Sequence, residues 1–212
     1  MIHADAERRK SRQRDLKAAS KLFAAKGFRA ATVREICGAA GANIALVSRY
    51  FGSKAELYAK VCRSLFDGIA APLAKLDVGV DCARRWQGAV REWIERVLAI
   101  TSAVKSPERE IAGIFKHEMT SPSPMHDYLR REFMKPVFDC FRHLVEMGGS
   151  RTEETTLRYM TSVWAQVSIY ALLDETWQKP FRPAGIPRPQ WIAQIADALC
   201  GDLFSTLHFK GN

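Results

Sequence analysis

The chain has 212 residues, 47% hydrophobic and 26% charged, which is enough apolar material for one or two packed domains and excludes disordered, collagen-like and disulfide-stapled classes. The longest charge-free run, Tyr159 to Leu173, has 15 residues, short of the roughly 18 to 20 needed to span a bilayer. The charged N-terminus carries no apolar signal segment, so a cytoplasmic protein is expected. Five cysteines, an odd number without a C-x-x-C pair, point to buried reduced thiols rather than to disulfides or zinc.

The net charge of +9 is unevenly placed. Residues 1–65 hold 14 Lys and Arg against 5 Asp and Glu, whereas residues 66–212 hold 18 of each. A basic module on a neutral scaffold suggests a polyanion-binding unit joined to a part with another task.

Within the basic third, Leu16, Ala19, Ser20 and Phe23 recur at helical spacing on an otherwise cationic segment, which predicts a first helix with one narrow buried stripe. Gly27 supplies a left-handed stop, and Phe28 an apolar contact after it. Thr32-Val33-Arg34-Glu35 reads as a capping box, opening a short helix with Val33, Ile36, Cys37 and Ala40 on one face. Ala39-Ala40-Gly41 makes a tight turn, and Asn43 caps a second short helix, Ile44 to Tyr50. Ser53-Lys54-Ala55-Glu56 is a second capping box, opening a longer helix to about Leu76. Two short helices around a glycine-containing turn, following a basic helix, describe a helix-turn-helix.

The run Lys21-Leu22-Phe23-Ala24-Ala25-Lys26-Gly27-Phe28-Arg29-Ala30-Ala31-Thr32-Val33-Arg34-Glu35-Ile36, followed by Ala39-Ala40-Gly41-Ala42-Asn43 and by Tyr50-Phe51-Gly52-Ser53-Lys54-Ala55-Glu56-Leu57, resembles the TetR family of bacterial transcriptional repressors. The resemblance covers about residues 10–60. It implies an all-α protein, with a three-helix DNA-binding domain over residues 1–60 and a helical effector-binding and dimerisation domain over residues 61–212.

In the second short helix Val47 and Phe51 share the inward face. Ile44, Ala45, Ser48 and Arg49 face outward, with Leu46 and Tyr50 at the margins. Arg49 has the chemistry to donate two hydrogen bonds to guanine or to bind a phosphate, and Ile44 and Leu46 to pack on thymine methyls. Thr32, Tyr50 and Lys54 match family positions that touch the DNA backbone. Thr32 and Lys54 also lie at helix N-termini, where phosphate is favoured. Arg34 and Asn43 complete the candidate set. Arg8, Arg9, Lys10, Arg12 and Arg14 form a basic arm that either reaches along DNA or remains solvated. Ser48 stands where the family often has Tyr, and Ile44-Ala45-Leu46 replaces a more polar sequence. A short recognition helix reads few base pairs, so a homodimer on a palindromic double-stranded operator is expected.

The neutral two-thirds predicts helices only. Arg84 to Val104 carries Trp86, Val90, Trp93, Ile94, Val97 and Leu98. Ser106-Pro107-Glu108 opens the next, which stops at Ser121-Pro122-Ser123-Pro124. Met125 to Met147 contains Pro136, which predicts a kink or break near Met134 to Lys135. Thr152 to Trp177 has bulky apolar residues pointing in every direction, which predicts burial on more than one side. Lys179 to Pro189 is a loop. Gln190 to Phe209 closes the chain. The last two helices are the expected homodimer surface, as an intermolecular four-helix bundle.

Trp93, Phe115, Met119, Met134, Phe138, Trp164 and Tyr170 are candidates for lining a pocket for a small apolar or aromatic effector, or else core filler. His117 and Glu118 are candidates for a ligand's polar group. No H-E-x-x-H or other metal spacing occurs among His117, His126 and His143, and no cofactor is expected. Nucleophile-elbow, phosphate-loop and dinucleotide motifs are absent from the sequence, so a regulator is favoured over an enzyme. An effector-independent architectural DNA-binding protein is the alternative.

Overall fold

The computed structural model describes residues 2–74, 82–103, 105, 107–150, 152–172, 180 and 184–207, with side chains from residue 6 and, in the fourth helix, up to residue 69. Every regular element among them is helical. In chain order they are α1 (Ile2–Ala30), α2 (Val33–Ala40), α3 (Ile44–Phe51), α4 (Lys54–Ala74), α5 (Ala83–Thr101), α6 (Glu108–Thr120), α7 (His126–Leu129), a π-helical turn (Arg130–Met134), α8 (Lys135–Met147), α9 (Glu153–Leu172) and α10 (Arg188–Thr206). None of these helices is long and apolar enough to cross a membrane.

The first four helices form the head. Ala19 and Phe23 of α1 are fully buried and meet Ile36 and Cys37 of α2, Val47 and Phe51 of α3, and Leu57, Tyr58 and Val61 of α4 in one core. Gly27 breaks α1 with φ +74° and ψ 170°, a conformation that favours glycine. One further turn follows it, closed by the Ala31 N–H to the Gly27 carbonyl at 3.2 Å. Phe28 turns back onto Phe23 and Tyr58, with ring centroids 6.5 and 5.1 Å apart. The expected stop at Gly27 is thus a sharp bend with a short helical tail.

In the second part α5 is central. Trp86, Trp93, Ile94 and Leu98 are buried at most 1% exposed, packed between α6, α8, α9 and α10. Both indoles find acceptors on α8: Trp86 Nε1 donates to the Leu144 carbonyl at 2.8 Å and Trp93 Nε1 to the Val137 carbonyl at 3.2 Å. These bonds meet the indoles' need for a partner when buried.

At Met134 to Lys135, where the sequence predicts a kink or break, the helix is irregular but the chain stays helical. The turn before Pro136 widens to π, with the Lys135 N–H reaching the Arg130 carbonyl, and α8 continues with Pro136 in its first turn. The wider turn accommodates the missing N–H and the bulk of the proline ring. Over the described part of the Thr152–Trp177 segment, one side is buried within the chain, and the apolar Leu157 and Ile169 stand exposed on other faces. Met160, Val163, Trp164, Val167 and Ala171 follow a helical stripe that is buried or half-buried, while Arg158, Thr161, Ser162, Ala165, Gln166 and Ile169 are exposed. Leu173 to Trp177, Val104 and Ser106 lie outside the described residues.

Candidate nucleic-acid interface and effector cleft

The local rules that build the head also fix what α3 exposes. The Thr32 hydroxyl accepts from the Glu35 N–H at 3.2 Å, while the Thr32 N–H donates to Glu35 Oε2 at 3.0 Å, a complete capping box. Lys26 Nζ adds a bond to Glu35 Oε1 at 2.7 Å. The Lys26 contact, then the two Thr32 bonds, lower the Glu35 pKa to about 2. Gly41, at φ +62°, makes the left-handed turn that any side chain would strain. Asn43 Oδ1 accepts from the Ala45 N–H at 2.8 Å and starts α3. The second capping box also forms: the Ser53 N–H donates to Glu56 Oε2 at 2.7 Å, and the Glu56 N–H to Ser53 Oγ at 3.2 Å.

With α2 capped at both ends, α3 can seat only Val47 and Phe51 in the core. Ile44 and Leu46 are 46% and 48% exposed, among the few large hydrophobics left in solvent. Ala45, Ser48 and Arg49 are exposed beside them, as are Thr32, Arg34 and Asn43 on α2 and its flanks. Tyr50 is half-buried. Leu46 is thus exposed to the same degree as Ile44. Lys54 is half-buried: its Nζ donates to the Arg29 carbonyl at 3.1 Å and lies 4.7 Å from the Phe28 ring centroid. That anchor ties the start of α4 to the end of α1, close to Thr32.

Two cations that sequence reasoning did not attach to α3 hold its C-terminal turn. Arg12 stacks over the Tyr50 ring at 4.6 Å. Lys60 donates to the Tyr50 carbonyl at 3.2 Å and lies 5.4 Å over Phe51. Lys60 was findable as a cation one turn after the second capping box. Arg12 is 38 positions from Tyr50, and no local pattern joins them.

In the second part, a small cleft of about 30 Å³ opens among α5, α6, the π turn, α8 and α9, lined by Val97, Ile100, Thr101, Ile111, Ala112, Phe115, Phe133, Met134, Val137 and Trp164. The structure brings Phe115, Met134 and Trp164 of the sequence candidates together there. Phe138 adjoins it through an edge contact with Trp164, centroids 4.7 Å apart. Trp93 is behind the wall, stacked on Phe141 at 4.2 Å. Met119 is 45% exposed away from the cleft, and Tyr170 packs on Trp191 at 4.9 Å. Glu118 is already engaged. It accepts from the Tyr58 hydroxyl at 2.7 Å and from the Ser123 N–H at 3.2 Å, and lies 3.6 Å from His126 Nδ1. His117 lies against Gly27, where an added Cβ would come within 2.9 Å of its Nδ1.

The two parts meet along α1 and α6, and α4 runs across residue 60 without interruption. Gly113 of α6 sits so close to α1 that a Cβ there would lie 2.7 Å from the Ala24 carbonyl oxygen. Tyr58 ties α4 to α6 through Glu118, and its pKa is raised by burial first and then by Cys62 and Glu118. The Phe66 ring of α4 stands edge-on to Phe133, a cleft residue, with centroids 4.8 Å apart.

A short exposed helix, α3, held by the glycine-turned α2 and set on a helical body, has the arrangement of a helix-turn-helix. Residues 16–61, from α1 into the first turns of α4, match the model of the bacterial regulatory proteins of the tetR family. No curated protein sequence matches this chain. Its fold is that of several solved regulators, all below 25% identity. A transcriptional regulator from Rhodococcus sp. Rha1 is 22% identical, covering 92% of this chain and 96% of that one, with a TM-score of 0.65. HlyIIR, a hemolysin II transcriptional regulator, is 19% identical over 96% and 99% of the two chains, with a TM-score of 0.60. FadR from Bacillus subtilis, solved in complex with stearoyl-CoA, is 12% identical over 92% and 99%, with a TM-score of 0.63.

Proposed function

We propose that the chain is a homodimeric repressor that binds a palindromic operator through α3 and releases it when an apolar or aromatic small molecule enters the α5–α9 cleft. The observation that carries this reading is the character of the cleft wall. Its one lining hydroxyl, on Thr101, is spent on the Val97 carbonyl at 3.0 Å, so apart from the Trp164 indole an occupant would meet aliphatic, aromatic and thioether groups. At about 30 Å³ the cleft is far below the roughly 300–1,000 Å³ of small-molecule sites, so an occupant would have to part its walls. FadR, similar in fold, was solved with an acyl thioester, a ligand class with a long hydrocarbon chain.

Two contacts would carry occupancy to the head. Phe133 faces the cleft and touches Phe66 of α4, and Ile111, Ala112 and Phe115 flank the Gly113–Ala24 approach of α6 to α1. Wedging either would swing α4 and alter the separation of two recognition helices in a dimer. On α3, Ile44, Ala45, Leu46, Ser48 and Arg49 would face base edges, and Thr32, Arg34, Asn43, Tyr50 and Lys54 the backbone. Dimerisation would use α9 and α10, whose exposed Ser162, Ala165, Ala193, Ala198 and Gly201 are small enough for close helix approach.

The test is fluorescence anisotropy on a duplex recovered by selection from a random pool, titrated with a panel of long-chain acyl compounds and uncharged aromatics. A 5- to 150-fold loss of affinity, equal to about 1–3 kcal/mol of coupling, is expected from at least one class. Unchanged affinity across the panel would leave a constitutive binder.

A further inference from the structure

A groove of about 670 Å³ runs between α1, α4 and the start of α6. It lies within the roughly 300–1,000 Å³ of small-molecule sites. Its floor is apolar: Val61 is buried, and Leu16 and Leu65 are half-buried. One wall is cationic. Lys10, Arg14 and Lys17, all exposed, follow one another at steps of four and three residues, so they share a face of α1. That row spans about 10 Å. Arg14 lies 3.9 Å from Asp15, whereas Lys10 and Lys17 make no ion pair among the described residues.

The groove also has a direction. α6 runs beside α1 with Gly113 against Ala24 and His117 against Gly27. One turn back along both helices, Glu110 falls beside Ser20 and Pro107 beside Lys17. Glu110, the one carboxylate in the lining, is 5% exposed and already engaged within the chain. The Ser20 hydroxyl is spent on the Lys17 carbonyl at 3.0 Å. The inner end is thus closed and acidic, and the Lys10–Arg14 end extends past the start of α6.

We propose that this groove binds a small amphiphile with one anionic end. Its headgroup lies on Lys10, Arg14 and Lys17, and its aliphatic chain along Leu16, Val61 and Leu65. Ammonium groups without a counter-charge form charge-assisted bonds to carboxylate or phosphate oxygens, and the floor gains from every methylene it takes out of water. Glu110 repels a second negative charge at the tail end, which excludes a chain with an anion at each end. The site depends on neither the reading of α3 nor that of the α5–α9 cleft. An occupant bridges a helix of the head to a helix of the body, beside the Gly113–Ala24 approach.

The test is isothermal titration of the full chain, without DNA, using octanoate, octyl phosphate, octan-1-ol and octanedioate. Octanoate or octyl phosphate should bind, and Lys10→Gln/Lys17→Gln should weaken that binding about tenfold, equal to about 1.4 kcal/mol, with an unchanged melting curve. A preference for one headgroup assigns carboxylates or phosphate monoesters as the source, and either sustains the site. Octan-1-ol and octanedioate should bind about tenfold more weakly than the better anion. Lys21→Gln/Arg29→Gln removes two charges from α1 outside the groove and should bind like the wild type. The proposal is overturned if Lys10→Gln/Lys17→Gln binds as the wild type does, or if the control pair loses as much. It also fails if octan-1-ol or octanedioate matches the anions, or if neither anion binds at millimolar concentration.

Discussion

Replacing Gly113 with alanine tests the α1–α6 interlock. The added Cβ would lie 2.7 Å from the Ala24 carbonyl oxygen and 2.9 Å from the Ala24 Cβ, whereas ordinary contact begins at 3.4 Å. Backbone on one side cannot rotate away, so α6 and α1 must part by 0.7 Å, the difference between 3.4 and 2.7. Overpacking of one methyl costs about 1–3 kcal/mol, and the helix propensity of alanine over glycine returns about 1 kcal/mol. The variant should be destabilised by about 1 kcal/mol. Gly88, inside α5, supplies the control: a Cβ there meets nothing within 4 Å, so Gly88→Ala should stabilise by about 0.5–1 kcal/mol. Urea unfolding at one protein concentration measures both, and a midpoint shift at constant m assigns the change to stability. If Gly113→Ala stabilises as much as Gly88→Ala, the two parts are not locked at this crossing.

Three other outcomes are expected. Tyr58→Phe removes the hydroxyl from buried Glu118 and should cost about 1.5–3 kcal/mol by urea unfolding, with part of the loss recovered in Tyr58→Phe/Glu118→Gln; a change within error would remove this bond from the inter-domain coupling. Asp15 is 3% exposed and its Oδ1 has no hydrogen-bond partner, and burial raises its pKa against the opposing effect of Arg14. The fold thus favours the protonated acid, a contribution present below the unfolded pKa and lost as pH rises through the folded one, so Asp15→Asn should raise the melting temperature more at pH 7 than at pH 4. Ile169→Arg, on the exposed side of α9, should shift sedimentation from dimer toward monomer at micromolar concentration, and an unmoved boundary would place the dimer surface elsewhere.

The head was legible because its signals are local. Thr32 with Glu35, Asn43, Ser53 with Glu56, and Gly41 each act within four residues, and each forms the bond its spacing predicts. The single apolar stripe of each short helix then fixes what remains outside. The cleft was less legible because Trp93, Phe115, Met119 and Trp164 all satisfy helical spacing, and neighbouring helices decide which face meets a void. Trp93 went to the core because α8 offered the Val137 carbonyl to its indole. The π turn was hidden because Pro136 states only that its own turn must change, and not whether the chain bends or widens to comply. Arg12 on Tyr50 was hidden by separation in sequence.

The most direct test of α3 as the reading element is dimethyl sulfate protection on the selected operator, since the reagent reports guanine N7 in the major groove and adenine N3 in the minor. Two protected major-groove patches, centred about 34 Å apart along the duplex, are expected from paired recognition helices, with protection weakened by Arg49→Ala. A single patch, or protection confined to adenine N3, would contradict the account.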